Sequence, residues 1–125
     1  MKKDNPILDK SEKFAVKVAG LCKQLQQHKE FVVSNQLYRS ATSIGANVVE
    51  AQGALSKADF FAKMKIADKE AKETAYWLRL LYNTKQLSEN DFTGFENNID
   101  EICRMLTSIC RTTEQNLKAE KAKKN

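Results

Sequence analysis

The stretch QLYRSATSIGANVVEAQGALSKADFFAKMKIADKEAKETAYWLRLL, residues 36–81, decides the fold class. On both sides of Gly53 its apolar residues recur every three or four positions, which is the spacing of amphipathic helices. The first stripe comprises Leu37, Ala41, Ile44, Val48, Ala51 and Leu55. The second comprises Phe60, Met64, Ala67, Ala71, Leu78 and Tyr82. The pattern therefore predicts two successive helices, with Gly53 ending the first.

Similar stripes flank this pair. Phe14, Val18, Leu21 and Leu25 predict an earlier helix, and the run from Phe92 to Leu117 predicts a later one. The predicted helices span residues 10–28, 34–53, 56–85 and 88–117, followed by a solvated basic tail at 118–125. The predicted N-terminal caps are Asp9 or Ser11, Ser34, Ser56 with Asp59, and Ser88 with Asp91.

Composition excludes the other fold classes. The chain has 125 residues, about one domain, and its 4 Gly and 1 Pro leave little material for the turns of an all-β fold. No segment approaches the length of a membrane span, and the N-terminus lacks the apolar run of a signal peptide, so we expect a cytoplasmic protein with no membrane partner. Four helices joined by short loops predict a single all-α domain, an antiparallel up-down-up-down bundle.

The second helix is unusually poor in charge, since residues 31–55 carry only Arg39 and Glu50. The third helix has a second apolar stripe of Ile66, Trp77 and Leu80. One bundle cannot bury such surplus faces, so they predict association between copies of the chain. The expected interface or polar network comprises Arg39, Ser43, Asn47, Glu50, Ile66, Glu73, Trp77 and Leu80. Its polar members form either a functional site or a structural network that fixes how helices dock.

Catalytic ingredients are scarce. The single histidine, His28, would have to work with Cys22, Cys103 or Cys110, which lie at or beside core stripes. No cysteine or histidine pair has metal-ligand spacing, and no glycine-rich phosphate loop exists. We therefore expect a protein that is not an enzyme and that has no catalytic residues, metal or cofactor.

The charge pattern supports nucleic-acid binding. Residues 56–86 carry seven Lys or Arg against four acids, whereas residues 88–117 carry two against six. Lys65, Lys72 and Arg79 recur every seven residues, a strip that can follow a phosphate backbone. The expected nucleic-acid-binding residues are Lys65, Lys72, Arg79, Lys118, Lys121, Lys123 and Lys124. The alternative is a structural scaffold or protein-interaction module with no nucleic-acid role.

A family resemblance adds to this interpretation. The motif Gln36-Leu37, Arg39-Ser40, Ser43-Ile44, Asn47 and Glu50, followed by Ser56, Phe60 and the stretch 70–73, resembles the bacterial 23S rRNA intervening-sequence proteins, also labelled the S23 ribosomal protein family. The resemblance implies an antiparallel four-helix bundle, often assembled into a homopentameric ring. The family is similar to the accessory protein of diversity-generating retroelements, a basic pentamer that binds nucleic acid and a reverse transcriptase. It implies no catalytic residues.

Overall fold

The computed structural model describes residues 4–124. It contains four helices: α1 (Pro6–Gln27), α2 (Val32–Gln52), α3 (Lys57–Asn83) and α4 (Glu89–Lys124). These residues include no β-strand. The predicted all-α bundle is confirmed, and within the described range no helix is long and apolar enough to cross a membrane.

The predicted caps of α3 and α4 are confirmed, whereas those of α1 and α2 are wrong. Ser56 Oγ accepts a hydrogen bond from the Asp59 amide at 3.0 Å, and Ser88 Oγ accepts one from the Asp91 amide at 3.1 Å. The first helix instead starts after Asn5, whose side chain accepts from the Leu8 amide. Pro6 follows at a position where its fixed φ suits a helix and its missing N–H costs nothing.

Ser34 lies inside α2 rather than before it. Its hydroxyl is buried and donates to the Glu30 carbonyl at 2.6 Å, as serines within a helical turn commonly do. The carboxylate of Glu30 takes over the capping role and accepts from the Val33 amide at 2.9 Å. The helix begins two residues earlier than Ser34 as a result.

The predicted tail is also wrong, because α4 continues through residues 118–124. The sequence there contains only Lys, Ala and Glu, all strong helix formers, and no breaker. Three lysines in the last turn, Lys121, Lys123 and Lys124, are favourable at the negative end of the helix dipole. The basic residues are thus held on a helix.

The core contains the predicted stripes except for Leu55 and Leu117. Val18, Leu37, Ala41 and Leu106 are completely buried, whereas Leu55 is 99% exposed because α2 ends three residues before it. Each helix packs against two others in the order α1–α2–α3–α4–α1, and the α1–α4 contact is the sparsest. The α2–α3 and α3–α4 interfaces are therefore the ones that position side chains most firmly.

Candidate nucleic-acid interface

The side of α3 that faces α2 carries a closed polar network. Arg39 pairs with Glu70 at 2.8 Å and also with Glu73. The Trp77 indole N–H donates to the same Glu73 carboxylate at 2.9 Å. The hydrogen bond from Trp77, together with that from Arg39, holds the pKa of Glu73 below its usual value, although partial burial opposes this shift. Both partners of Arg39 therefore belong to its own chain.

The remaining predicted network residues are also engaged within the chain. Glu50 pairs with Lys63 of α3 at 3.1 Å. Asn47 donates to the Ser43 carbonyl at 2.9 Å and to its hydroxyl at 3.1 Å. These residues thus form hydrogen bonds along α2 and an ion pair between α2 and α3.

A buried pair of hydroxyls lies beside these contacts and was not part of the predicted network. Ser40 and Thr74 are fully buried, and the Thr74 hydroxyl donates to Ser40 Oγ at 2.8 Å. The sequence gives no sign of the hydrogen bond between their hydroxyls, because serine and threonine also occur as small core residues. Of the apolar residues predicted for an interface, Ile66 is 42% exposed, while Trp77 packs partly against the core and Leu80 is partly buried.

The side of α3 that faces α4 carries the predicted basic strip. Lys65, Lys72 and Arg79 are all exposed. Lys72 pairs with the buried carboxylate of Asp68 at 2.7 Å, and Asp68 also accepts a hydrogen bond from the Thr107 hydroxyl of α4 at 3.3 Å. Only one of the three cations is therefore in an ion pair with a described residue.

A second set of cations lies on α4 and was missed by the sequence analysis. Arg104 and Arg111 line a shallow cleft together with Cys103 and Thr107. Lys118 follows seven residues after Arg111, so the three cations recur at the same interval as those of α3. That interval was visible in the sequence, but the acidic residue count of segment 88–117 concealed it.

The C-terminal lysines Lys118, Lys121, Lys123 and Lys124 are exposed on the last turns of α4. Their neighbour Glu120 pairs with Lys57 at the start of α3. This ion pair holds the end of α4 beside α3. The four lysines are thus arranged by a helix, with Lys118 at the level of the start of α3.

The cysteines and the histidine do not form a reactive group. Burial raises the pKa of the Cys22 thiol to about 11, and this thiol donates to the Ser34 carbonyl at 3.4 Å. Burial likewise raises the pKa values of Cys103 and Cys110, while His28 is exposed at the end of α1. Across residues 4–124, no three His, Cys, Asp or Glu side chains are grouped so that they could hold a metal ion.

The fold is that of a helical-bundle protein, and its distinctive surfaces are the ion-paired α2–α3 side and the cationic α3–α4 side. Residues 3–108 match the family of 23S rRNA-intervening sequence proteins, and the chain belongs to that family. It is similar to the crystal structure of a protein of unknown function from the S23 ribosomal protein family of Bacteroides thetaiotaomicron VPI-5482. The two are 47% identical over 83% of this chain and 97% of the other, with a TM-score of 0.81. The search of curated proteins finds no match.

Proposed function

We propose that this protein is a non-enzymatic accessory factor in the cytoplasm that binds RNA or DNA through the phosphate backbone, without strong sequence preference. The observation that carries the proposal is the contrast in pairing: Lys65, Arg79 and Lys118 are exposed and have no ion-pair partner among the described residues. Unpaired cations concentrated on one side of a protein attract polyanions. The net charge of +5 supports the same interpretation.

Backbone contacts fit these residues better than base recognition does. Of the exposed aromatic residues Phe31, Tyr38 and Tyr76, Tyr76 alone lies on α3 beside the basic strip, and a single ring does not make a stacking platform. Lysine and arginine on a helix surface bind phosphates whatever the sequence. Affinity should consequently fall steeply with salt, and any specificity comes from a partner.

The direct test is filter binding of labelled RNA and DNA at low and moderate salt. The variant K65E/K72E/R79E should weaken binding of all sequences alike. Its control is K23E/K29E, which reverses two exposed charges near the end of α1 and thus one fewer than the variant. Absence of any retention by the unaltered protein at low salt contradicts the proposal, and so does equal binding by K65E/K72E/R79E.

The proposed arrangement of the helices is antiparallel. On α2, Arg39 meets Glu70 and Glu73, whereas the later residue Glu50 meets the earlier residue Lys63. The same reversal holds between α3 and α4, where residue 57 contacts residue 120 and residue 68 contacts residue 107. Short loops between sequential helices favour this up-down-up-down order.

We further propose a homo-oligomer, a pentameric ring in line with the family resemblance. Ile66 and Tyr76 on α3 are 42% and 49% exposed, and no helix within residues 4–124 covers them. Trp77 is a poor test position because it belongs to the Arg39 network. Ile66→Glu should instead yield helical monomers in light scattering, while Val16→Glu on α1 serves as the control. A monomeric unaltered protein at micromolar concentration contradicts the ring.

The scaffold function is the second candidate, with a specific surface in its favour. Tyr38 and Val49 on α2 are 49% and 57% exposed, and Val16 on α1 is 68% exposed. These exposed apolar side chains suit a protein partner, of which a reverse transcriptase is the one the resemblance implies. Tyr38→Glu/Val49→Glu should then abolish co-purification of that partner while nucleic-acid binding stays intact.

A further inference from the structure

The cations on both sides of the α3–α4 groove form two parallel rows. The α3 row is Lys65, Lys72 and Arg79, and the α4 row is Arg104, Arg111 and Lys118. Seven residues are about 10 Å on an α-helix and nearly two full turns, so each row stays on one face of its helix. All six side chains are exposed.

Contacts between α3 and α4 determine which cations of the two rows lie opposite each other. The Tyr82 and Phe92 rings stack at 4.5 Å between centroids, Asp68 bonds to Thr107, and Lys57 pairs with Glu120. Counting along both helices from these contacts places Lys72 opposite Arg104 and Lys65 opposite Arg111. Arg79 then extends the α3 row at one end of the groove, and Lys118 extends the α4 row at the other.

The electrostatics of the two groove cysteines agree with this alignment. Burial raises the pKa of Cys103, and the Lys72 charge acts in the opposite direction. Burial also raises the pKa of Cys110, and the charges of Lys65 and Lys72 oppose this shift. The α3 cations therefore lie close enough to the floor of the groove to act on side chains of α4.

Acidic groups around the groove limit its extent. Asp68 lies on the floor but is already engaged by Lys72 and Thr107. On α4, Asp100 precedes Arg104 by four residues and Glu114 follows Arg111 by three. The strongest cationic stretch is therefore the part between these acids, where Lys65, Lys72, Arg104 and Arg111 meet.

We propose that one phosphodiester strand lies along the α3–α4 groove and is held from both sides, by the α3 row and by the α4 row. This inference rests on the proposed nucleic-acid function and adds to it the strand's path and two residues of α4, Arg104 and Arg111. Arg111 and Lys118 lie beyond residues 3–108, the part that matches the family.

Reversal of the α4 cations tests the path. In fluorescence anisotropy with a labelled oligonucleotide, R104E/R111E should raise the Kd at least tenfold and reduce the salt slope by about 2, since two phosphate contacts are lost. The control K23E/K29E makes the same change of charge outside the groove and should raise the Kd much less. R104Q/R111Q removes the contacts without adding negative charge and should produce the same reduction in slope.

Crosslinking locates the strand independently. Ser108 is exposed and lines the cleft between Arg104 and Arg111. With Cys103 replaced by Ser in both variants, a photoreactive group attached to Ser108→Cys should crosslink to the bound oligonucleotide, whereas the same group on Asn35→Cys of α2 should not.

The outcomes separate the path from the function. If the unaltered protein binds no oligonucleotide, both proposals fail. If it binds, while R104E/R111E behaves like K23E/K29E and Ser108→Cys gives no crosslink, the function stands and the groove is wrong. Loss of binding in R104E/R111E and R104Q/R111Q with a crosslink at Ser108→Cys supports both.

Discussion

The two sides of α3 carry similar kinds of charge and have opposite consequences. Towards α2, Arg39 and Lys63 are neutralised by Glu70, Glu73 and Glu50. Towards α4, the Lys72–Asp68 pair is the one ion pair that the described residues show among the six row cations. The first side contributes to the stability of the bundle, and the second leaves its cations available to a ligand. Charge alone thus does not distinguish the two sides of α3; the state of pairing does.

The largest effect on stability should follow from reversing one arginine on the paired side. Arg39→Glu places a third carboxylate beside Glu70, whose side chain is only 12% exposed, and Glu73. We expect a loss of about 1–2 kcal/mol, because a partly buried carboxylate loses its partner and gains a like charge.

Arg104→Glu is the matched control on the open side. It should change the free energy of unfolding by less than about 0.5 kcal/mol, since an exposed charge without a partner contributes little. Urea unfolding of both variants measures the difference. Equal destabilisation of the two variants contradicts the contrast between the sides.

Local chemistry explains which features the sequence predicts well. The caps Ser56 and Ser88 follow from residues three positions apart, and the core stripes follow from helical spacing. The predicted start of α1 was wrong because Asn5 and Pro6 precede the apolar stripe, and the stripe carries no information about residues before it. Boundaries of this kind depend on cap chemistry outside the periodic segment.

Pairing between helices is harder to predict. The partners of Arg39 are more than thirty residues away, and only the packing of α2 on α3 brings them together. The α4 row was hidden for a different reason. Arg104 and Arg111 lie in a segment that carries six acids, and that total concealed the acid-free stretch between Glu101 and Glu114.

Replacing Asp68 should lower stability and raise affinity for an oligonucleotide. Asp68→Asn removes the negative charge from the floor of the groove and releases Lys72. Stability should fall by about 1 kcal/mol, because the Lys72 and Thr107 bonds to the buried carboxylate weaken. Affinity for an oligonucleotide should increase several-fold, because attraction to phosphates grows with the local positive charge.

Anisotropy titration and urea unfolding of the same Asp68→Asn preparation provide both measurements. Glu12→Gln removes an exposed charge on α1 and should leave the affinity nearly unchanged. Unchanged or weaker binding by Asp68→Asn would show that the strand does not pass over this floor.

A smaller effect should appear in the pH dependence of the paired side. The pKa of Glu73 is lower in the folded chain than its ordinary value of 4.5, owing first to Trp77 and then to Arg39. The corresponding stability is therefore complete above about pH 4.5 and is lost as the pH falls through the folded pKa. Glu73→Gln should cost about 0.5 kcal/mol near neutrality, with allowance for solvent screening.

The unfolding free energies of Glu73→Gln and the unaltered protein should converge in acid. Thermal or urea unfolding across the acidic range measures this convergence. Glu114→Gln, an exposed substitution outside the network, should run parallel to the unaltered protein. A constant difference between Glu73→Gln and the unaltered protein at every pH would mean that the ionised carboxylate contributes nothing.

The smallest effect involves no change of stability and reports on the open side alone. Cys103 is partly exposed in the cleft with Arg104 and Arg111, whereas Cys22 and Cys110 are buried. Because burial raises the pKa of the Cys103 thiol, its alkylation should be slow at neutral pH and measurable at mildly alkaline pH. A strand lying in the groove should slow the alkylation of Cys103 several-fold at low salt, with no change at the two buried cysteines. Mass spectrometry of the modified peptides gives all three rates in one sample, and R104E/R111E should lose the protection. Protection that persists in that variant would place the bound strand elsewhere on the bundle.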